Sequence, residues 1–165
     1  MSLRIRTTAA CLSLLLVALV MGCNSGAKPP PKIGTLIPVT GTVTLDGVAL
    51  ADATVTFHPE SASGFQGSFA RTDAQGKYEM ESPVGNNKRQ KGAIPGKYKV
   101  TVSRLLKPDG TPHTDDKVAP MNVGASESIA MKYADAGQTQ LMYDVPSNGK
   151  GSYDIPLTAK EDGDL

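Results

Sequence analysis

Tryptophan is absent from this 165-residue sequence, and five tyrosines with three phenylalanines are its only aromatic side chains. A sugar-binding cleft needs rings beyond those a core consumes, so carbohydrate chemistry starts with little material. Cysteine and histidine are also scarce, at two each. Zinc needs clustered His, Cys or carboxylate ligands at coordinating spacing, and His58, His113, Cys11 and Cys23 provide no such cluster. A nucleophilic triad fares no better. His58 sits before Pro59, His113 lies among Pro, Gly and Asp, and neither has a Gly-x-Ser-x-Gly neighbour, so both read as solvated residues. Asp73 and Asp115-Asp116 lack the alternating acids of a calcium loop, and Gly92 to Gly96 lacks the Gly-Lys-Ser/Thr ending of a phosphate cradle. The residues therefore call for no metal and no other cofactor. A basic excess is missing as well. Residues 1 to 22 hold two Arg and no acid, which leaves 15 basic against 16 acidic groups, formally −1, in the remaining 143 residues. Nucleic-acid binding by counterion release needs a basic surface, so that partner class is excluded.

What is present begins at the amino terminus. Arg4 and Arg6 precede a thirteen-residue run from Ala9 to Met21, broken only by Ser13 and ending at Gly22-Cys23. A spanning helix needs about 20 apolar residues, so this run is too short to cross comfortably and fits the h-region of a cleaved signal peptide over residues 1–22.

The order Leu19-Val20-Met21-Gly22-Cys23 resembles a bacterial lipobox. The resemblance implies a diacylglyceryl group on the sulfur of Cys23, cleavage after Gly22, and acylation of the new amino terminus by a fatty acid such as palmitate. An ordinary signal peptide cut nearby is the alternative. Because Cys11 leaves with the signal, Cys23 is the only cysteine of the mature chain and no intramolecular disulfide is available. Two or more acyl chains give stable membrane anchoring where one is marginal. By resemblance to enterobacterial sorting, Asn24, standing where Asp would favour the inner membrane, points to the outer membrane, either periplasmic or surface-facing.

Residues 24–38 switch to Gly, Ser, Ala, Lys and Pro, including Pro29-Pro30-Pro31. With the lipidated Cys23 they form a Pro-rich linker, 23–38, extended at about 3.1 Å per residue and supplying no core.

From residue 39 the apolar residues recur at period two. Val39, Gly41, Val43 and Leu45 alternate with threonines, and Asp46-Gly47 supplies a turn tolerant of positive φ. Ala53, Val55 and Phe57 mark a second strand stopped by Pro59. Ser68–Thr72 and Lys77–Glu81 read as a hairpin, with Asp73 capping its loop and Gly76 left-handed. Pro95-Gly96 opens a strand with Tyr98, Val100 and Val102 on the core face and Lys97, Lys99, Thr101 and Ser103 on the wet face. Gln140–Val145 and Tyr153–Leu157 add two short strands. No sustained 3.6-residue period exists. About seven strands separated by turn signals predict an all-β, antiparallel sandwich over residues 39–159, followed by an acidic tail, 160–165.

The runs Val39 to Gly47, Leu50 to Phe57, Thr72 to Tyr78 and Ile94 to Val102, in that order, resemble a carboxypeptidase regulatory-like domain. With the lipobox, the whole chain is similar to short planctomycete lipoproteins. The resemblance covers residues 39 to 104 well and the later strands loosely. It implies a transthyretin-like (prealbumin-like) Greek-key sandwich of seven strands and no catalytic residues of its own, since fold does not supply function.

Two features remain as candidate contacts. Lys88, Arg89 and Lys91 form a basic cluster, with Lys97 and Lys99 expected on an adjacent exposed face; it suits anionic headgroups or glycans, or is simply a solvated loop. The connection from Leu105 to about Ile129 exceeds the usual 12 to 15 residues and reads as a binding loop or a mobile insertion. The expectation is a non-catalytic, lipid-anchored cell-envelope protein whose sandwich serves as a binding or structural module toward an envelope protein or glycan. One rival is a carbohydrate-binding module using Tyr133, Tyr143 and Tyr153. Another is a small hydrolase using a carboxylate pair assembled by folding.

Overall fold

The computed structural model describes residues 34–61, 65–85, 87–149 and 151–159. The signal sequence, Cys23, the linker up to residue 33 and the acidic tail lie outside the described residues.

Strand β1, Val39–Leu45, has the predicted alternation, with Val39, Gly41 and Val43 buried. Asp46 and Gly47 both take positive φ, at 50° and 80°, and turn the chain into β2, Val48–Ala49, which pairs with the end of β1. This is the mirror-image turn that matches the twist of a hairpin. Strand β3, Thr54–Pro59, runs antiparallel to β4, Ser68–Arg71, and Thr72 fixes the end of β4. Its hydroxyl donates to the Leu50 carbonyl at 2.7 Å and accepts from the Ala53 N–H at 2.9 Å, so a buried polar side chain is fully used.

Asp73 organises the following loop as expected. One carboxylate oxygen accepts the N–H groups of Gln75 and Lys77, each at 2.9 Å, and Gly76 is left-handed at φ 72°. The hairpin expected from it does not form. Strand β5, Lys77–Glu79, instead pairs with β1 in the other sheet. Only at Glu81, in β6, Glu81–Pro83, does the chain return to pair with Phe69 of β4. Tyr78 and Met80 explain the detour, because both are buried and the Tyr78 hydroxyl donates to the Tyr153 carbonyl at 2.6 Å. Strand β7, Arg89–Lys91, follows β6, and β8, Gly96–Ser103, is the longest strand.

After β8 the chain makes an excursion whose base is closed by β9, Leu105–Leu106, against β10, Ser126–Glu127, with one 3-10 turn, Pro120–Val123, between them. The Glu127 carboxylate knits this base by accepting the Arg104 N–H at 2.8 Å and the Ser103 hydroxyl at 2.6 Å. The expected long open loop is thus a segment tied at its root. A single helical turn, α1, Met131–Ala134, leads to β11, Met142–Val145, then β12, Gly151–Ser152, and β13, Ile155–Leu157.

The larger sheet has the order β11-β8-β3-β4-β6-β7 and is antiparallel at every pairing. The smaller sheet centres on β1, which pairs antiparallel with β2 and β5 but parallel with β12 and β13. The antiparallel expectation therefore fails at β1. A hairpin forces antiparallel pairing only on strands close in sequence, and more than 100 residues separate β1 from β12 and β13. Val39, Val43, Ile155 and Leu157 from the smaller sheet share one core with Val55, Phe57, Tyr98, Val100 and Val102 from the larger, giving a sandwich-like all-β body.

Gly41 permits the two sheets to close. A β-carbon there would lie 2.0 Å from the Tyr153 carbonyl oxygen and 2.8 Å from the Tyr78 hydroxyl, so a side chain would displace the bond joining β5 to the Tyr153 segment.

Candidate functional site

The inner face of the larger sheet is consumed by packing, so the polar side chains of that sheet lie on its outer face and meet the excursion above it. The registers place Ser103, Thr54 and Arg71 in one cross-strand row and Thr101, Thr56, Phe69, Glu81 and Lys91 in the next. The expected wet face of β8 is partly covered. Thr101 is 7% exposed and lies 2.9 Å from Nε2 of His58. Burial lowers the pKa of His58 and favours its neutral form. His58 is therefore half-buried and bonded on the sheet, where full solvation was expected.

Above the first row lies a cleft of about 260 Å³ between the sheet and the excursion, lined by residues that include Asp52, Arg71, Ser103, His113, Asp115 and Asp116. A serine, a histidine and three aspartates thus share one wall, which sequence spacing did not reveal because 61 positions separate Asp52 from His113. Their bonds decide what they can do. The Ser103 hydroxyl is committed to Glu127, and Nε2 of His113 lies 2.9 Å from the Val118 carbonyl oxygen, the geometry of a donated N–H. A serine activated by an imidazole requires those two groups to bond each other. Asp115 accepts the Lys117 N–H at 2.9 Å and so caps its own turn. Asp116 approaches the Arg71 guanidinium at 3.6 Å, with its side chain 82% exposed. That ion pair bridges the excursion and the sheet and is worth little in water.

Among the described residues, no group of three or more His, Cys, Asp or Glu is arranged to hold a metal ion. No helix among them is long and apolar enough to cross a membrane.

The basic cluster lies on β7 and the turn before it, at one edge of the larger sheet. Lys88, Arg89 and Lys91 are all exposed. The Arg89 guanidinium sits 4.5 Å from the centre of the Phe69 ring, a cation–π arrangement. Lys91 bonds Glu79 at 2.6 Å, which raises its pKa and compensates its charge. Lys97 and Lys99 do not join the cluster. They lie on β8, four strands across the sheet, which at about 4.8 Å per strand is roughly 19 Å away.

Tyr133, Tyr143 and Tyr153 do not form an exposed row. All three are half-buried against the core, and Tyr143 meets Tyr153 edge to face at 5.5 Å. Their hydroxyls are occupied. Tyr143 donates to the Asp154 carbonyl at 2.9 Å, Tyr153 donates to the Asp144 carbonyl at 3.0 Å, and Tyr133 lies 3.1 Å from the Thr158 hydroxyl. This reciprocal pair clamps β11 to the segment before β13. Burial raises the pKa of both Tyr143 and Tyr153, with Asp154 and Asp144 respectively adding to the shift.

In comparisons with protein-family models, curated proteins and solved structures, the chain matches none.

Proposed function

We propose that this chain is a lipid-anchored protein of the bacterial cell envelope, held to a membrane through Cys23 and carrying a non-catalytic binding or structural module. The observation that carries the proposal is the order of the first 23 residues: two arginines, an apolar run too short to span, and Leu19-Val20-Met21-Gly22-Cys23. Residues 23–38 act as the spacer, and the outer membrane is the destination that Asn24 favours. The module is of the carboxypeptidase regulatory-like, transthyretin-like kind. Its seven principal strands are β1, β3, β4, the bent pair β5 and β6, β8, β11 and β13, in Greek-key order. The commitment of Ser103 and His113 to other partners supports the non-catalytic reading.

Labelling cells with radioactive palmitate tests the anchor. Label is expected on the wild-type chain and absent from Cys23→Ser. An unlabelled wild type would refute the proposal.

A second reading, a hydrolase with a carboxylate pair, draws on the three aspartates of the cleft at Arg71. Hydrolysis of any glycoside by the purified domain, abolished in Asp52→Asn or Asp115→Asn, would establish it in place of the non-catalytic module.

A further inference from the structure

The tether leaves the sandwich beside the basic strand. Ile37 and Ala93 exchange both backbone hydrogen bonds, with Ile37 N–H to the Ala93 carbonyl at 2.8 Å and Ala93 N–H to the Ile37 carbonyl at 2.9 Å. Gly92 fits against Leu36 and Ile37 so closely that a β-carbon there would lie 2.6 Å from the Ile37 carbonyl oxygen. The last residues before β1 are therefore fastened to Gly92 and Ala93, just past the end of β7. Fourteen positions separate Cys23 from Ile37, a reach of at most roughly 50 Å for a fully extended chain. By sequence that stretch contains Lys28 and Lys32, and no carboxylate occurs between Cys23 and Asp46.

We infer that the β7 edge is the membrane-facing surface of the domain and that Lys88 and Arg89 dock on anionic lipid headgroups. The inference rests on the anchor proposed above. Lys91 is compensated by Glu79, so Lys88 and Arg89 supply the attraction. Each basic residue near an anionic surface raises the docked-to-free ratio roughly fivefold, which would be negligible for a protein diffusing in bulk. A short tether changes this, because it makes docking intramolecular at a millimolar effective concentration. The opposite end of the domain then faces away. Val48, 70% exposed in the β1–β2 hairpin, lies about 20 Å along β1 from Val39, where that strand begins.

The test uses the full, processed chain reconstituted in vesicles. With Cys11 removed and Cys23 acylated, an introduced cysteine is the sole free thiol. Gln90→Cys, on β7, and Val48→Cys, at the far end, each carry a fluorophore, and the vesicles contain a headgroup-linked nitroxide quencher. In phosphatidylglycerol-rich vesicles the label at position 90 should be quenched several-fold more than that at 48. The difference should collapse in 0.5 M salt, in phosphatidylcholine vesicles, and in Lys88→Gln/Arg89→Gln, where the docked-to-free ratio falls roughly 25-fold. A chain that stays on carbonate-washed vesicles with quenching indifferent to lipid charge, salt and both substitutions overturns the docking and leaves the anchor standing. A wild-type chain washed off by carbonate overturns the anchor and the docking together.

Discussion

On the inner face of the larger sheet Val55, Phe57, Tyr98, Val100 and Val102 are sealed from water, whereas on the outer face of the same strands Thr54, Thr56, His58, Lys97 and Lys99 remain within its reach. The two faces come from the same residues read at alternate positions, yet they answer to different constraints. The inner face must fill volume, and its rings also spend their polar ends: Tyr98 donates to the Ile94 carbonyl at 2.5 Å, and burial pushes its pKa up to about 12. The outer face must only stay compatible with water, which frees it to hold the cleft at Arg71 and the Arg89–Phe69 contact. Most of the burial therefore resides on one side of each strand and the candidate contacts on the other.

Several substitutions would break or sharpen that contrast. The largest effect is expected at the sealed ring. Tyr98→Ala should cost about 3–5 kcal/mol in urea unfolding, through lost burial and the cavity left behind. Retention of wild-type stability would mean the face assignment is inverted. Next is Gly41→Ala, whose added methyl meets the Tyr153 carbonyl and should cost about 1–3 kcal/mol by overpacking where the two sheets close. Tyr153→Phe keeps the ring and removes only the hydroxyl bond to Asp144, so a loss of about 1 kcal/mol is expected, measured as a shift of the urea midpoint.

The outer face predicts a pH effect. Burial depresses the folded pKa of His58 below 6.5, so between that folded value and 6.5 the unfolded chain binds more protons than the folded one. The contribution of His58 is thus fully present above pH 6.5 and is lost as pH falls toward the folded pKa. His58→Asn should flatten the urea midpoint across that window; an unchanged slope would contradict the assignment. The smallest effect belongs to Lys99→Ala, expected within about 0.5 kcal/mol of wild type in the same assay.

Much of the inner face was legible in the sequence. The alternation over residues 39–45, 53–58 and 96–103 located β1, β3 and β8 within a residue or two, because burial on one side of a strand leaves a period-two record. Asp46-Gly47 and Asp73 to Gly76 were legible for a local reason, since their side chains and φ preferences act within four residues. The partner of β5 was not, because the burial of Tyr78 and Met80 and a bond from Tyr78 to Tyr153, 75 positions away, direct it to the other sheet. The cleft was hidden for the same reason, as Asp116 meets Arg71 across 45 positions. Proximity in sequence also misled. Lys91 and Lys97 are six residues apart, but four strand spacings separate β7 from β8. The role of the tyrosines was not legible, because a ring with a hydroxyl suits an exposed row as well as it fills a core and bonds a carbonyl.

The central claim is that Cys23 fastens a β-sandwich to a membrane. Mass spectrometry of the amino-terminal peptide from the mature protein, purified from its native membrane, tests this most directly. The account predicts a peptide beginning at Cys23 and heavier by a diacylglyceryl group. A peptide carrying an unmodified Cys23 thiol, or one beginning downstream of it, would contradict the account.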